Sequence, residues 1–230
     1  MATGELVLFL NPDVRLYQST LARTVEFMAQ PSSADIGICG VRLEDQRGDY
    51  STSAARFPSV WSIVRFALGL RSTEAAGLPS GVGQSDAVVE VDQVIGAYFL
   101  VRSELFRQRG FDEALLFTLK RSIFLGARLA GRRSVCLADV GAFHFGGGSS
   151  QQVKALRLFY SLRSRLQYAY KHFSAAGFVC VLSATIFVEI FSRSVLALAR
   201  GSKEQLAETC VAYRMLLCWI PQWWLKDTSR

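Results

Sequence analysis

Five consecutive apolar residues, Leu6-Val7-Leu8-Phe9-Leu10, run straight into Asn11-Pro12-Asp13. This junction constrains the fold more than any other stretch. An unbroken apolar run of that length, closed by a turn signal, reads as a strand covered on both faces, the pattern of a parallel sheet. Pro12 lacks the N–H that a central strand donates, so the strand ends there. Asp13 then stands just past a strand's carboxyl end, where open α/β sheets gather their ligands. Asn-Pro-Asp is also a common plain turn, closed by side-chain-to-backbone bonding.

Beyond this turn, helix and strand signals alternate. Ser19 is expected to cap a helix with Leu21, Val25 and Met28 on its apolar face, ended by Pro31-Ser32-Ser33. Ile36–Val41 predicts a strand, and Pro58–Leu70 a helix with Val60, Ile63, Val64 and Leu68 on one side. Residues 71–86 predict a mobile loop and Gly146–Ser150 a hinge. Val88–Val94 alternates as a strand, and Tyr98–Val101 comes next as another. A short helix from Ser103, a helix over 116–130 and a strand over 134–138 complete an α/β domain over 1–150.

Charge separates this domain from the rest of the chain. Residues 1–150 carry 15 basic and 15 acidic side chains, whereas residues 151–230 carry 11 and 4, so the whole formal charge of +7 lies in the last 80 residues. That segment reads as a basic amphipathic and apolar helical tail, with Lys154, Arg157, Arg163 and Arg165 beside Val153, Leu156, Phe159 and Tyr160. Gly177–Val188 is almost wholly apolar but shorter than the roughly 20 residues of a clean span, so it is expected to lie in the bilayer surface or to re-enter it. Trp219–Lys226 places three Trp beside a cation, a composition suited to the membrane–water interface. The bland alternative is a helical hairpin packed on the first domain. No nucleic-acid partner is expected, because the basic residues are diluted by long apolar runs. The five cysteines form no C-x-x-C pair, which argues against a zinc site or disulfide framework and for a reducing compartment. Met1–Glu5 has no basic stretch ahead of the apolar run, so no secretory leader is expected.

Four marks stand in order: Asn11-Pro12-Asp13, Val91-Asp92-Gln93-Val94-Ile95-Gly96-Ala97, Gly110-Phe111-Asp112-Glu113, and His144 ahead of Gly146-Gly147-Gly148-Ser149-Ser150. Together, over residues 4–170, they resemble the family 2 glycosyltransferases of the GT-A fold, and among these the rhamnosyltransferase-like subgroup. The resemblance implies a truncated GT-A (Rossmann-like) mixed sheet with a membrane-associated helical segment after it. It implies transfer of a sugar, in the subgroup rhamnose from dTDP-rhamnose, from a nucleotide-sugar donor to a cell-wall or lipid-linked glycan at the cytoplasmic face of the cell membrane. It further implies Asp13 as a ligand of Mg²⁺ or Mn²⁺, because a diphosphate leaving group needs a hard cation. Asn11 would orient phosphate or ribose, His144 would be a further metal ligand, and Gly96 and Ala97 would line the acceptor side.

The chain also departs from the pattern. Phe145 replaces a second His, and Gln93 a common Trp. An inverting transfer needs a carboxylate base, yet the family's acidic cluster falls on Lys120 and Arg121. Neither cation serves as a base near neutral pH, which leaves Asp112 and Glu113 as weak substitutes. The resemblance also implies a nucleotide-binding half of roughly 60–80 residues ahead of Leu6. Without it the sheet is expected to show a raw edge and an apolar face. With the base and that half missing, the isolated chain is expected to be inactive, and a non-catalytic pseudo-glycosyltransferase or remnant that binds membrane or a partner chain is the alternative reading.

Overall fold

The computed structural model describes residues 3–49, 53–70, 75–76, 87–109, 119–145 and 153–227. It contains two compact units, one built around a sheet and one of helices. The expected loop over 71–86, apart from 75–76, and the expected hinge at Gly146–Ser150 lie outside the described residues.

The sheet unit is a mixed α/β layer. Its main sheet runs β1 (Leu6–Leu10), β8 (Tyr98–Arg102), β3 (Ile36–Glu44), β9 (Arg133–His144) and β2 (Val14–Leu16), with β6 (Val88–Glu90) also on β9. Only β3 and β9 pair in parallel. The expectation of a central parallel strand at Leu6–Leu10 is therefore corrected. β1 lies antiparallel to β8, from Leu6 opposite Arg102 to Leu10 opposite Tyr98, and is half-buried. Its apolar run still has a cause on each face. Leu6 and Leu8 pack on one core cluster, while Phe9 stacks on Phe99 at 4.8 Å in the other.

The expected strand over Val88–Val94 divides in two. β6 joins the main sheet, whereas β7 (Gln93–Val94) pairs with β4 (Ala54–Ala55), which in turn pairs with β5 (Ala75–Ala76). The switch is fixed by side chains: Asp92 accepts the Phe57 N–H at 3.1 Å, and the Gln93 amide donates to the Arg56 carbonyl at 2.7 Å. Val94 then presses on the bare Cα of Gly40, where a Cβ would sit 2.5 Å from Val94 Cγ1.

Two further expectations change. Helix α1 (Thr20–Ala29) buries Thr20, Thr24 and Met28 and leaves Leu21 and Val25 exposed. The threonines face inward because their hydroxyls find partners: Thr20 donates to the Gly141 carbonyl at 2.7 Å, and Thr24 meets the Tyr98 hydroxyl at 2.6 Å. Ser19 makes no side-chain cap. The strand expected over 134–138 continues to His144, through a bulge that sets Leu137 opposite Val41 but Gly141 opposite Arg42. Helix α3 (Ser103–Arg109) comes directly after β8, and in α4 (Leu119–Leu129) Ile123, Phe124 and Ala127 are fully buried against the sheet.

In the helical unit, α2 (Val60–Ala67) starts at a reciprocal Ser59–Ser62 capping box, with Ile63 and Ala67 inward and Leu68 exposed. It packs with α5 (Lys154–His172), α6 (Ala175–Ser183), α7 (Ile190–Ala199) and α8 (Lys203–Asp227) around Leu162, Leu166, Val181, Tyr213 and Leu216. A π-helical stretch, Ala184–Glu189, joins α6 to α7 without a break. The resulting helix, Ala175–Ala199, has 25 residues at hydropathy 2.0 and is long and apolar enough to cross a membrane by length and composition. The expectation that this run is too short is corrected, because the helix does not stop at Glu189. That side chain is 1% exposed and lies between Arg165 and Arg193. In the C-terminal Trp cluster, Trp219 stacks on Trp223 at 4.9 Å and both pack on the helical core, while Trp224 is half exposed.

Candidate metal and donor site

The Asn-Pro-Asp turn is fastened by backbone bonds. Asn11 N–H donates to the Ala97 carbonyl at 2.9 Å, and Val14 N–H donates to the Asn11 carbonyl at 3.1 Å. The chain then turns into β2, whose Val14 lies opposite His144 at the end of β9. Phe145 N–H donates to the Asp13 carbonyl at 3.0 Å. These contacts bring two sequence-expected site residues together, with His144 Nε2 3.4 Å from Asp13 Oδ1.

Both side chains are more than three-quarters buried. Asp13 Oδ1 is itself shielded from solvent and accepts no hydrogen bond, although the imidazole stands 3.4 Å away. A shielded carboxylate oxygen without a donor is costly unless a donor or cation meets it. Two ligand atoms about 2.1 Å from one divalent cation stand about 3.0–3.5 Å apart. The Asp13–His144 spacing fits that range, and the donor set is one carboxylate and one imidazole. Among the described residues no third His, Cys, Asp or Glu joins them. Any such cation would fill its remaining positions with water or phosphate oxygens.

Asn11 is exposed at the head of the turn. Ala97 is 1% exposed and packs in the core, so its contribution is the carbonyl that fixes Asn11. Gly96 is half-buried beside it. Lys120 and Arg121 fall in the first turn of α4, while Asp112 and Glu113 lie outside the described residues.

One neighbouring carboxylate escaped sequence reasoning. Glu44 closes β3 opposite Phe143 and accepts the Tyr17 hydroxyl at 2.5 Å. That bond raises the Tyr17 phenol above its ordinary range. The signal for it was the Val41-Arg42-Leu43-Glu44 continuation, which carries the strand three residues past its expected end.

No protein-family model matches the chain. Over 170 residues it is glycosyltransferase-like. The relative matched there is Rhamnosyltransferase WbbL of Escherichia coli (strain K12), 26% identical across 73% of this chain. The chain spans 62% of that relative's length. Among solved structures, the mannosyltransferase PcManGT from Pyrobaculum calidifontis, in complex with GDP-Man and Mn²⁺, aligns with 94% of this chain and 63% of its own. Its TM-score is 0.46 and its identity 15%.

Proposed function

We propose that the chain is a divalent-metal-dependent glycosyltransferase of the family 2 type. Its donor is a nucleotide sugar, dTDP-rhamnose, and its acceptor a cell-wall or lipid-linked glycan at the cytoplasmic face of the membrane. The observation that carries this reading is the unsatisfied Oδ1 of Asp13 beside His144 Nε2, just beyond the turn that closes β1. The 170-residue likeness to a rhamnosyltransferase supports it.

In this reading Asp13 and His144 hold Mg²⁺ or Mn²⁺. The cation, when bound, neutralises the charge of a diphosphate leaving group. Asn11, pinned through its own N–H to Ala97, is kept at the donor side of the turn. Gly96, lacking a side chain, leaves room for the acceptor. The helical unit serves as the membrane-binding part, because the excess positive charge and the apolar helix Ala175–Ala199 both belong to residues 151–230.

Calorimetric titration of the full chain with dTDP-rhamnose, with and without Mn²⁺, tests the site. Saturable binding that requires Mn²⁺ is expected, weakened at least tenfold in Asp13→Ala and in His144→Ala with circular dichroism unchanged. Binding indifferent to Mn²⁺, or unaltered by Asp13→Ala, would remove the metal assignment.

A further inference from the structure

The helical unit contains a cavity of about 540 Å³ whose lining differs in charge from the rest of that unit's core. Lys154 and Arg157 reach it from α5, and Arg193 and Arg200 from α7 and its C-terminal cap, against a single acid, Glu208. Two of these cations are held in place. Lys154 Nζ lies 3.1 Å from Glu204 and 3.5 Å from Glu208, and Arg193 donates to buried Glu189 at 2.8 Å while lying over the Phe66 ring. Counting Glu189 and Glu204, which pair with these cations from behind the wall, the four cations still outnumber the three carboxylates, and a concave wall with that excess keeps a positive potential. Guanidinium forks match phosphate oxygens in geometry and charge, and several can address one phosphate at once.

The wall is also partly apolar, through Phe66 and Leu196. Leu196 belongs to the helix that exposes Phe187 (72%), Phe191 (70%), Val195 (47%) and Leu198 (66%). Their spacing places them along one helix face. The cavity residues Arg193, Leu196 and Arg200 fall on the opposite side of the same helix, so the apolar part of the site itself is Phe66, Leu158 and Leu196.

We infer that this cavity is a binding site for a phosphomonoester or diphosphate group, distinct from the Asp13–His144 site and independent of any metal there. The probe is inorganic pyrophosphate, titrated in excess EDTA against the full chain. Saturable binding is expected. It should weaken at least tenfold in the Arg157→Glu/Arg200→Glu double variant and less than twofold in Arg47→Glu/Arg214→Glu, which changes net charge equally at positions that do not line the cavity. Asp13→Ala should bind pyrophosphate like the parent, so failure of the donor site and failure of this site read out separately. Vesicles of phosphatidylcholine with phosphatidate, set against vesicles of matched surface charge with phosphatidylglycerol, then assign the source. A fivefold preference for phosphatidate that vanishes in the cavity variant assigns a lipid-borne phosphate, and pyrophosphate binding without that preference assigns a soluble ester. Absence of saturable pyrophosphate binding, or equal losses in both double variants, overturns the site.

Discussion

Among the described residues of the sheet unit, the Asp13 site aside, the fully buried polar side chains are neutral, and several are answered by a hydrogen bond. Thr24 meets the Tyr98 hydroxyl, Ser53 accepts the Leu43 N–H, and the Gln93 amide donates to a backbone carbonyl. The helical unit instead buries a charge. Glu189 is bound by Arg165 and Arg193, and both guanidinium groups lie over Phe66. The two interiors should therefore fail differently. A neutral hydrogen bond contributes about 1 kcal/mol net and can be lost piecemeal. A buried ion cluster is weak evidence for stability while intact, but removing one member leaves its partner charge desolvated.

The strongest way to break this contrast is Glu189→Ala. It strands Arg165, and a loss of about 3–5 kcal/mol is expected, read from urea unfolding monitored by Trp fluorescence, since all but one Trp lie in the C-terminal cluster. A loss under about 1 kcal/mol would show that the cluster is solvated in practice. In the sheet unit the vulnerable points are steric. Gly40→Ala drives a methyl into Val94, and overpacking of this kind costs about 1–3 kcal/mol. Adding Val94→Ala should return only part of that loss, because the Val94 Cβ itself stands 2.8 Å from the new methyl, whereas a double variant less stable than the single would place the strain elsewhere.

The mildest probe is pH. Burial pushes the thiols of Cys39 and Cys136 up to about 12 from an ordinary 9.0, and the Tyr98 phenol up to about 12 from 10.0. All three fold as neutral groups. Their contribution is whole below pH 9 and drains away between pH 9 and 12, as the unfolded chain ionises first. Denaturation midpoints should accordingly fall across that window. At pH 8, Cys39 and Cys136 should resist iodoacetamide while exposed Cys180, Cys210 and Cys218 react. Early labelling of Cys39 would mean that the sheet opens more readily than its packing suggests.

Asp13 and His144 were legible in the sequence as separate marks, one by its turn and one by its motif. Their meeting was implied by the family resemblance alone, not by local signals. It depends on β2, only three residues long, and on β9 continuing past Asp139 and Gly141 through a bulge, where local signals favour an ending. The inner face of α1 was misread for a related reason. Apolar periodicity chooses Leu21 and Val25, but tertiary hydrogen bonds to Gly141 and Tyr98 reward the threonines. The direction of β1 was equally hidden, because an apolar run covered on both faces looks alike in parallel and antiparallel company. In the helical unit the apolar run was legible, but not the buried ion cluster that lets it continue through Glu189.

β1 has one further consequence. Among the described residues its only ladder partner is β8, so the backbone donors and acceptors of alternate residues in this five-residue strand face outward in a row without a ladder partner. Joining two such rows is a bimolecular event, whose rate grows with the square of concentration. The chain's solution behaviour should therefore depend on how it is handled: dilution preserves separate molecules, and concentrating them selects for strand-to-strand assembly.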